Sequence, residues 1–223
     1  FMGGAVIDTF GKASLEKLFV AGEDAGGVHG ANRLGGNGIC DSCVYGRQAG
    51  KALGSYLSNG NRTIKESRKG MAEAMIAHLQ APFQRSEGNS PFELRKEIQE
   101  LNWNKVGVAR NATDLVEALT EIEAIATEVD QVSVRGGAAY NMMYNAFLDI
   151  RSMVDATRMV AFSAGMRNET RGAHFRNDFP DQLDDYGLFN ILLHRGADGL
   201  PVAEKKDVAF SFKSLEECQQ YKK

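Results

Sequence analysis

The sequence predicts a mainly helical α+β protein: an α/β segment first, then an antiparallel three-helix bundle, then a C-terminal β-hairpin region. Three observations carry that prediction. An apolar run, a glycine-rich loop and a long helical pattern follow one another over residues 18–57. Three amphipathic stripes recur between residues 90 and 166, and two short apolar runs flank a turn-rich stretch near Gly199.

Composition sets the bounds. With 223 residues and 43% hydrophobic content, the chain can fill one large core or two modest ones without disulfide staples. The 26 basic and 29 acidic residues leave a formal net charge of -3, and the basic residues are spread along the chain, so nucleic acid is not an expected partner. Spanning a bilayer needs roughly 18 to 20 consecutive apolar residues, and no run approaches that, so direct membrane insertion is not expected. Three cysteines make no disulfide framework and point to a reducing compartment, taken as the cytoplasm. Cys40 and Cys43 form a Cys-x-x-Cys pair with no second pair to complete a zinc site; the reading is two small buried residues of a helix, and no metal site is expected. The opening Phe1-Met2-Gly3-Gly4 lacks an initiator methionine and reads as the continuation of a longer protein.

The elements follow in order. Residues 18–22, Leu-Phe-Val-Ala-Gly, fit a buried strand of a parallel sheet, with Glu23 at its carboxyl end. Residues 38–57 are helical, with Ile39, Cys43, Gly46, Gly50 and Leu53 at three- and four-residue spacing, and the small residues Gly46, Ala49, Gly50 and Gly54 suit close packing on a sheet. A break at residues 58–61 precedes a more polar helix over 63–79 and a linker over 84–89. Ser90, Pro91 and Glu93 give an N-cap, a proline at the first helical position and a capping box. That helix carries Leu94, Ile98, Leu101 and Val106 on one face. The next starts after Asn111 with Leu115, Leu119, Ile122, Ala126 and Val129, and its glutamates form a solvated face. A third covers 140–166 with Met143, Phe147, Ile150 and Val154; Met142, Met143, Met153 and Met159 read as core fillers. Residues 188–194 and 208–212 read as the two strands of a hairpin, and a short polar tail with helical character follows.

Function concentrates in residues 26–37, Gly-Gly-Val-His-Gly-Ala-Asn-Arg-Leu-Gly-Gly-Asn. Five glycines allow close backbone approach to a ligand, and Arg33 offers a planar fork for a carboxylate or phosphate. His29 is either a substrate ligand or a residue that orients the loop by a hydrogen bond, with the second reading preferred. Strand, glycine loop and helix together form the unit that cradles nucleotides at a helix start.

Two motifs are specific enough to name a family. Ala21-Gly22-Glu23 with residues 29–37 and Gly46-Arg47 resembles the carboxyl-terminal flavin-binding loop of the succinate dehydrogenase and fumarate reductase flavoproteins. Arg171-Gly172-Ala173-His174-Phe175-Arg176 with Asp178-Phe179-Pro180 is similar to the same family's segment after its helical domain. The resemblance implies that residues 1–59 are the C-terminal α/β part of an FAD- and substrate-binding domain, 60–89 a helix and linker, 90–170 a helical bundle domain, and 171–223 a docking segment and hairpin. It implies that Glu23, Asn37, Gly38 and Ile39 bind FAD and that Arg33 binds a C4-dicarboxylate, with His29 the further candidate for substrate binding. The family often has Ser-Leu where this chain has Gly38-Ile39, but those contacts run through the backbone.

By the same resemblance, the chain is the carboxyl-terminal part of such a flavoprotein. The FAD site is then incomplete, because no Gly-x-Gly-x-x-Gly loop for the pyrophosphate occurs in the 223 residues. No catalytic proton donor is expected among them, and the chain alone is expected to be inactive. An iron-sulfur or other electron-transfer subunit is the implied partner, and would place the protein peripherally at a membrane. L-aspartate oxidases share the fold and are the alternative family reading. A non-catalytic module that docks onto an electron-transfer subunit is the alternative of a different class. His174, Arg171 and Arg176 are read as docking ion pairs and hydrogen bonds rather than catalytic groups.

Overall fold

A computed structural model describes residues 2–60, 69–183, 188–197, 199–210 and 212–219. Its helices are α1 (Asn37–Ser58), α2 (Lys69–Gln80), α3 (Pro91–Leu101), α4 (Ala112–Val129), α5 (Met142–Met166) and α6 (Leu215–Gln219). Two short sheets accompany them. β1 (Ala109–Arg110) pairs in parallel with β2 (Phe175–Arg176), and β3 (Phe189–Arg195) pairs antiparallel with β4 (Pro201–Asp207).

The core sits where α3, α4 and α5 meet. Leu94, Ile98 and Leu101 from α3 and Val106 from the π-helical turn after it (Asn102–Val106) face Leu115, Ala118, Ile122, Ile125 and Val129 from α4. From α5 come Phe147, Ile150, Val154, Ala161 and Ala164. Each large aliphatic side chain removed from water contributes about 1.5–3 kcal/mol, so these three stripes are the main source of stability. On α4 the predicted stripe is right at Leu115, Ile122 and Val129. Ala118 and Ile125 take the centre, while Leu119 and Ala126 pack at its margin.

Local chemistry fixes the helix starts unequally. The Asn111 side chain accepts from the Asp114 amide at 2.9 Å, and that of Asn141 accepts from Met143 and Tyr144 at 3.0 and 3.1 Å. α3 starts at Pro91 as predicted, but the Ser90 side chain makes no cap bond, so the expected capping box does not form. Proline at the first position and the Leu94 amide bond to the Ser90 carbonyl, 3.2 Å, hold this start instead. The glutamate face of α4 stays at the surface, where Glu117 and Glu121 meet Lys105 and Glu123 meets Arg158.

Several expectations are corrected. Residues 18–22 make no strand of a parallel sheet: Phe19 forms one isolated antiparallel bridge to Lys12, Leu18 is exposed, and Gly22–Asp24 is a single 3-10 turn. A buried parallel strand needs neighbours on both edges, and among the described residues this segment has an antiparallel neighbour, residues 11–13, on one edge. For the same reason Gly46, Gly50 and Gly54 of α1 face open space rather than a sheet. Cys40 and Cys43 are exposed thiols, not buried ones.

Tyr140 lies outside α5, fully exposed with φ 55°, because Asn141 caps the helix one residue later. Met143 and Met153 pack on the core as expected, whereas Met142 and Met159 are exposed. The second hairpin strand is Pro201–Asp207, not 208–212. The Gly196 amide closes the turn on the Leu200 carbonyl at 2.7 Å, so pairing begins with Arg195 opposite Pro201. Proline is tolerated at the first strand position, and this polar strand hid its signal behind the more apolar run that follows. The break at 58–61 and the helix expected over 63–79 fall partly outside the described residues; within them, α2 runs Lys69–Gln80 and Ala81–Gln84 forms a 3-10 turn.

Candidate functional site

The glycine-rich loop is built on a small backbone frame. The Ala5 amide donates to the Asp24 carbonyl at 2.8 Å, and the Gly26 amide returns a bond to the Ala5 carbonyl at 2.9 Å. The approach is so close that a Cβ at Gly4 would collide with the Asp24 carbonyl, and Gly4 has φ 154°. This bridge fixes the turn that carries Glu23, which packs against α1 where Gly22 meets Ser42.

From there the loop runs to α1. Gly36, in the left-handed region with φ 84°, is its N-cap, and Asn37, Gly38 and Ile39 form the first turn. Arg33 folds back over this turn: a Cβ on Gly38 would lie 3.1 Å from the Arg33 guanidinium. Its backbone amide donates to the Met2 sulfur at 3.1 Å. Ile39 presents its side chain outward, 81% exposed. The structure thus gathers Arg33, Asn37, Gly38 and Ile39 at one helix start, where the free N–H groups and the positive end of the helix dipole favour negative charge.

His29 lies on the inner side of the loop. Its Nε2 is 3.1 Å from Oδ2 of Asp41, whose side chain is 5% exposed. The other carboxylate oxygen, Oδ1, is buried with no hydrogen-bond partner among the described residues. This geometry fits a loop-orienting role for His29. Asp41 escaped the sequence reading, although one signal was present. It is a helical acid with no basic residue three or four positions away, so its partner had to come from elsewhere.

The second motif touches the first. Residues 171–174 form a tight turn in which the Arg171 amide donates to the His174 carbonyl at 2.8 Å and the His174 amide donates to the Arg171 carbonyl at 3.0 Å. At its tip, the Ala173 amide donates to the Ala31 carbonyl at 3.1 Å. Gly172, φ 58°, sits so close that a Cβ there would overlap the same carbonyl. Ala31 is two residues from Arg33. Sequence spacing gave no hint of this contact.

Buried charge anchors the turn. Glu169 is fully buried, bonded to Arg167 at 2.5 Å, to Arg171 at 3.0 Å through each oxygen, and to the Leu183 amide at 2.9 Å. Burial pushes its carboxyl up, but bonds from Arg171, the Leu183 backbone and Arg167 outweigh this and hold it below the usual range. Arg176, also fully buried, grips Asp178 through two bonds of 2.7 and 2.8 Å and donates to the Ala164 and Arg167 carbonyls at the end of α5. Asp178 in turn accepts from the Ala112 amide at the start of α4, 2.8 Å. The Arg176 bonds, first, and that amide hold the Asp178 carboxyl down to about 2.

His174 Nδ1 accepts from Arg110 at 2.8 Å, which assigns the proton to Nε2, 3.2 Å from the Arg167 carbonyl. Burial and the neighbouring arginines lower its pKa, so the ring is neutral. These groups dock the segment onto the bundle.

No group of three or more metal-ligating side chains occurs among the described residues, and none of their helices is long and apolar enough to cross a membrane.

Comparison with known proteins follows the same two motifs. Residues 95–220 match the family model for the fumarate reductase flavoprotein C-terminus, and residues 1–39 match that of an FAD binding domain. The chain is 34% identical over 199 residues to a subunit of the fumarate reductase (CoM/CoB) of Methanothermobacter marburgensis, covering 87% of this chain and 35% of that protein. It is 27% identical over 179 residues to the chloroplastic L-aspartate oxidase of Oryza sativa subsp. japonica, covering 80% of this chain and 28% of that one. A solved structure of Mycobacterium smegmatis Sdh1 in complex with UQ1 superposes with a TM-score of 0.84 at 28% identity, over 98% of this chain and 38% of that one. The chain spans about a third of the length of the curated relatives it matches.

Proposed function

The chain belongs to the succinate dehydrogenase and fumarate reductase flavoprotein family and carries part of its FAD binding domain, and we propose that it supplies one wall of a site where FAD and a C4-dicarboxylate exchange a hydride. The single observation that carries this reading is the gathering of Arg33 with Gly38 and Ile39 at the start of α1.

The residues present fit the cofactor. Gly27, Gly30, Gly35 and Gly36 have open space where a Cβ would stand, leaving a cradle into which a planar ring system can come close to the backbone. The outward Ile39 gives that ring an apolar contact, and Gly38 leaves room for Arg33 beside it. In this reading Glu23 accepts hydrogen bonds from sugar-like hydroxyls, while the backbone of Asn37, Gly38 and Ile39 faces the ring. Bound FAD supplies the hydride chemistry. Arg33 clamps one carboxylate through two charge-assisted bonds and fixes the carbon skeleton. His29 then holds the loop from within. The proton donor, the pyrophosphate loop and the opposite wall are assigned to the remaining two thirds of a protein of the relatives' length.

The domain division at residues 59, 89 and 170 is part of this proposal, as is an electron-transfer subunit, iron-sulfur or other, that places the protein peripherally on a membrane from the cytoplasmic side. The test is turnover by the full-length, FAD-loaded protein with succinate, fumarate and aspartate. Activity with the first two supports the reading; activity with aspartate alone would replace it with the oxidase reading.

A further inference from the structure

We propose that the tip of the turn after the helical bundle, Gly172-Ala173, is the positioning element of the loop that presents Arg33. The proposal rests on the reading of Arg33 as the carboxylate ligand, and adds a part that neither motif contains by itself.

Apart from the side-chain contact of His29 with Asp41 on α1, the loop has few holds. Among the described residues, its backbone between Gly27 and Leu34 is tied to other parts of the chain by the Arg33 amide bond to Met2 and the Ala173 amide bond to Ala31. The first partner is a methionine sulfur, a weak acceptor on a flexible side chain. The second is a peptide N–H on a turn locked at both corners. Arg171 and His174 exchange two backbone bonds; Arg171 is held by the fully buried Glu169; His174 is held between Arg110 and the Arg167 carbonyl. A tip on so rigid a base transmits the position of the bundle to Ala31, and from there across two residues to Arg33.

Gly172 shows how closely the fit is set. Any side chain there would overlap the Ala31 carbonyl, and φ 58° already favours glycine. The loop itself has little internal stiffness: Gly30, Gly35 and Gly36 flank Arg33, and each has open space where a Cβ would stand. An arginine on such a loop fixes a carboxylate well only if something outside it removes the freedom of the backbone.

The test uses the full-length, FAD-loaded protein and three variants. Gly172→Ala pushes the tip off Ala31, Ala173→Pro deletes the amide donor, and Ala173→Ser keeps that donor as the conservative control. For the first two, KM for the dicarboxylate should rise by about five- to tenfold, with kcat and FAD content close to wild type. Hydrogen exchange should speed up at the amides of residues 28–36 while the core amides of α3 to α5 keep their protection. Ala173→Ser should match wild type in both readouts. An unchanged KM together with unchanged exchange in the loop would overturn the proposal, as would equal loss of protection across the bundle, which would mean plain destabilisation. If the wild-type protein turns over no dicarboxylate, the reading of Arg33 fails, and the exchange data alone still decide whether the tip orders the loop.

Discussion

At the scale of single residues, the strongest commitments are buried charges. Asp178, the surface partner of the buried Arg176, shows how this appears in solution. In an unfolded chain its carboxyl would protonate near 3.9, whereas the folded group, gripped by Arg176, protonates only at about 2. The stabilisation it provides is therefore complete above about pH 4 and is lost as the pH falls toward 2. Urea titrations of wild type and Asp178→Asn across pH 2–7 should show a stability gap that is constant from pH 5 upward and closes at the acid end. A gap independent of pH would mean that the pair has no ionic character.

The glycine loop leading into a helix start was legible in the sequence, and the structure sets Arg33 beside Gly38 there. Asp41 was not read, and neither was the contact of Gly172 with Ala31. A buried acid partner and a backbone approach between residues about 140 apart are tertiary facts that no local pattern encodes.

At the scale of elements, periodicity served well where one face is buried. Leu94, Ile98 and Leu101 on α3 and Phe147, Ile150 and Val154 on α5 lie where the 3.6-residue repeat puts them. It failed where an element has little to pack on. Residues 18–22 are apolar enough for a strand but pair through one isolated bridge, Phe19 to Lys12, and the real second hairpin strand is polar because the hairpin lies at the surface. Capping signals likewise had unequal value. Asn111 and Ser90 look equivalent in sequence, yet only Asn111 makes its side-chain bond. Asn111→Ala should cost about 1 kcal/mol by chemical denaturation, while Ser90→Ala should fall within about 0.5 kcal/mol of wild type. Equal losses would mean that the Ser90 cap forms in solution.

At the scale of the whole molecule, α1 and the loop before it stand apart from the bundle in how they are stabilised. The bundle has a closed core. α1 buries only Asp41 and Ala49 among its residues, and leaves Ile39, Val44 and Leu53 exposed. The 223-residue chain, purified alone, should carry far less than one FAD per chain by absorbance, because no Gly-x-Gly-x-x-Gly loop for the pyrophosphate occurs in its sequence. Stoichiometric yellow protein would contradict that expectation.

The central claim is that Arg33 grips a dicarboxylate beside FAD. Its most direct test is steady-state kinetics of fumarate reduction and succinate oxidation by the full-length, FAD-loaded protein, wild type against Arg33→Gln. Loss of two charge-assisted bonds to a carboxylate should lower kcat/KM by about a hundredfold or more with FAD content unchanged. A variant that retained wild-type kcat/KM would contradict the account.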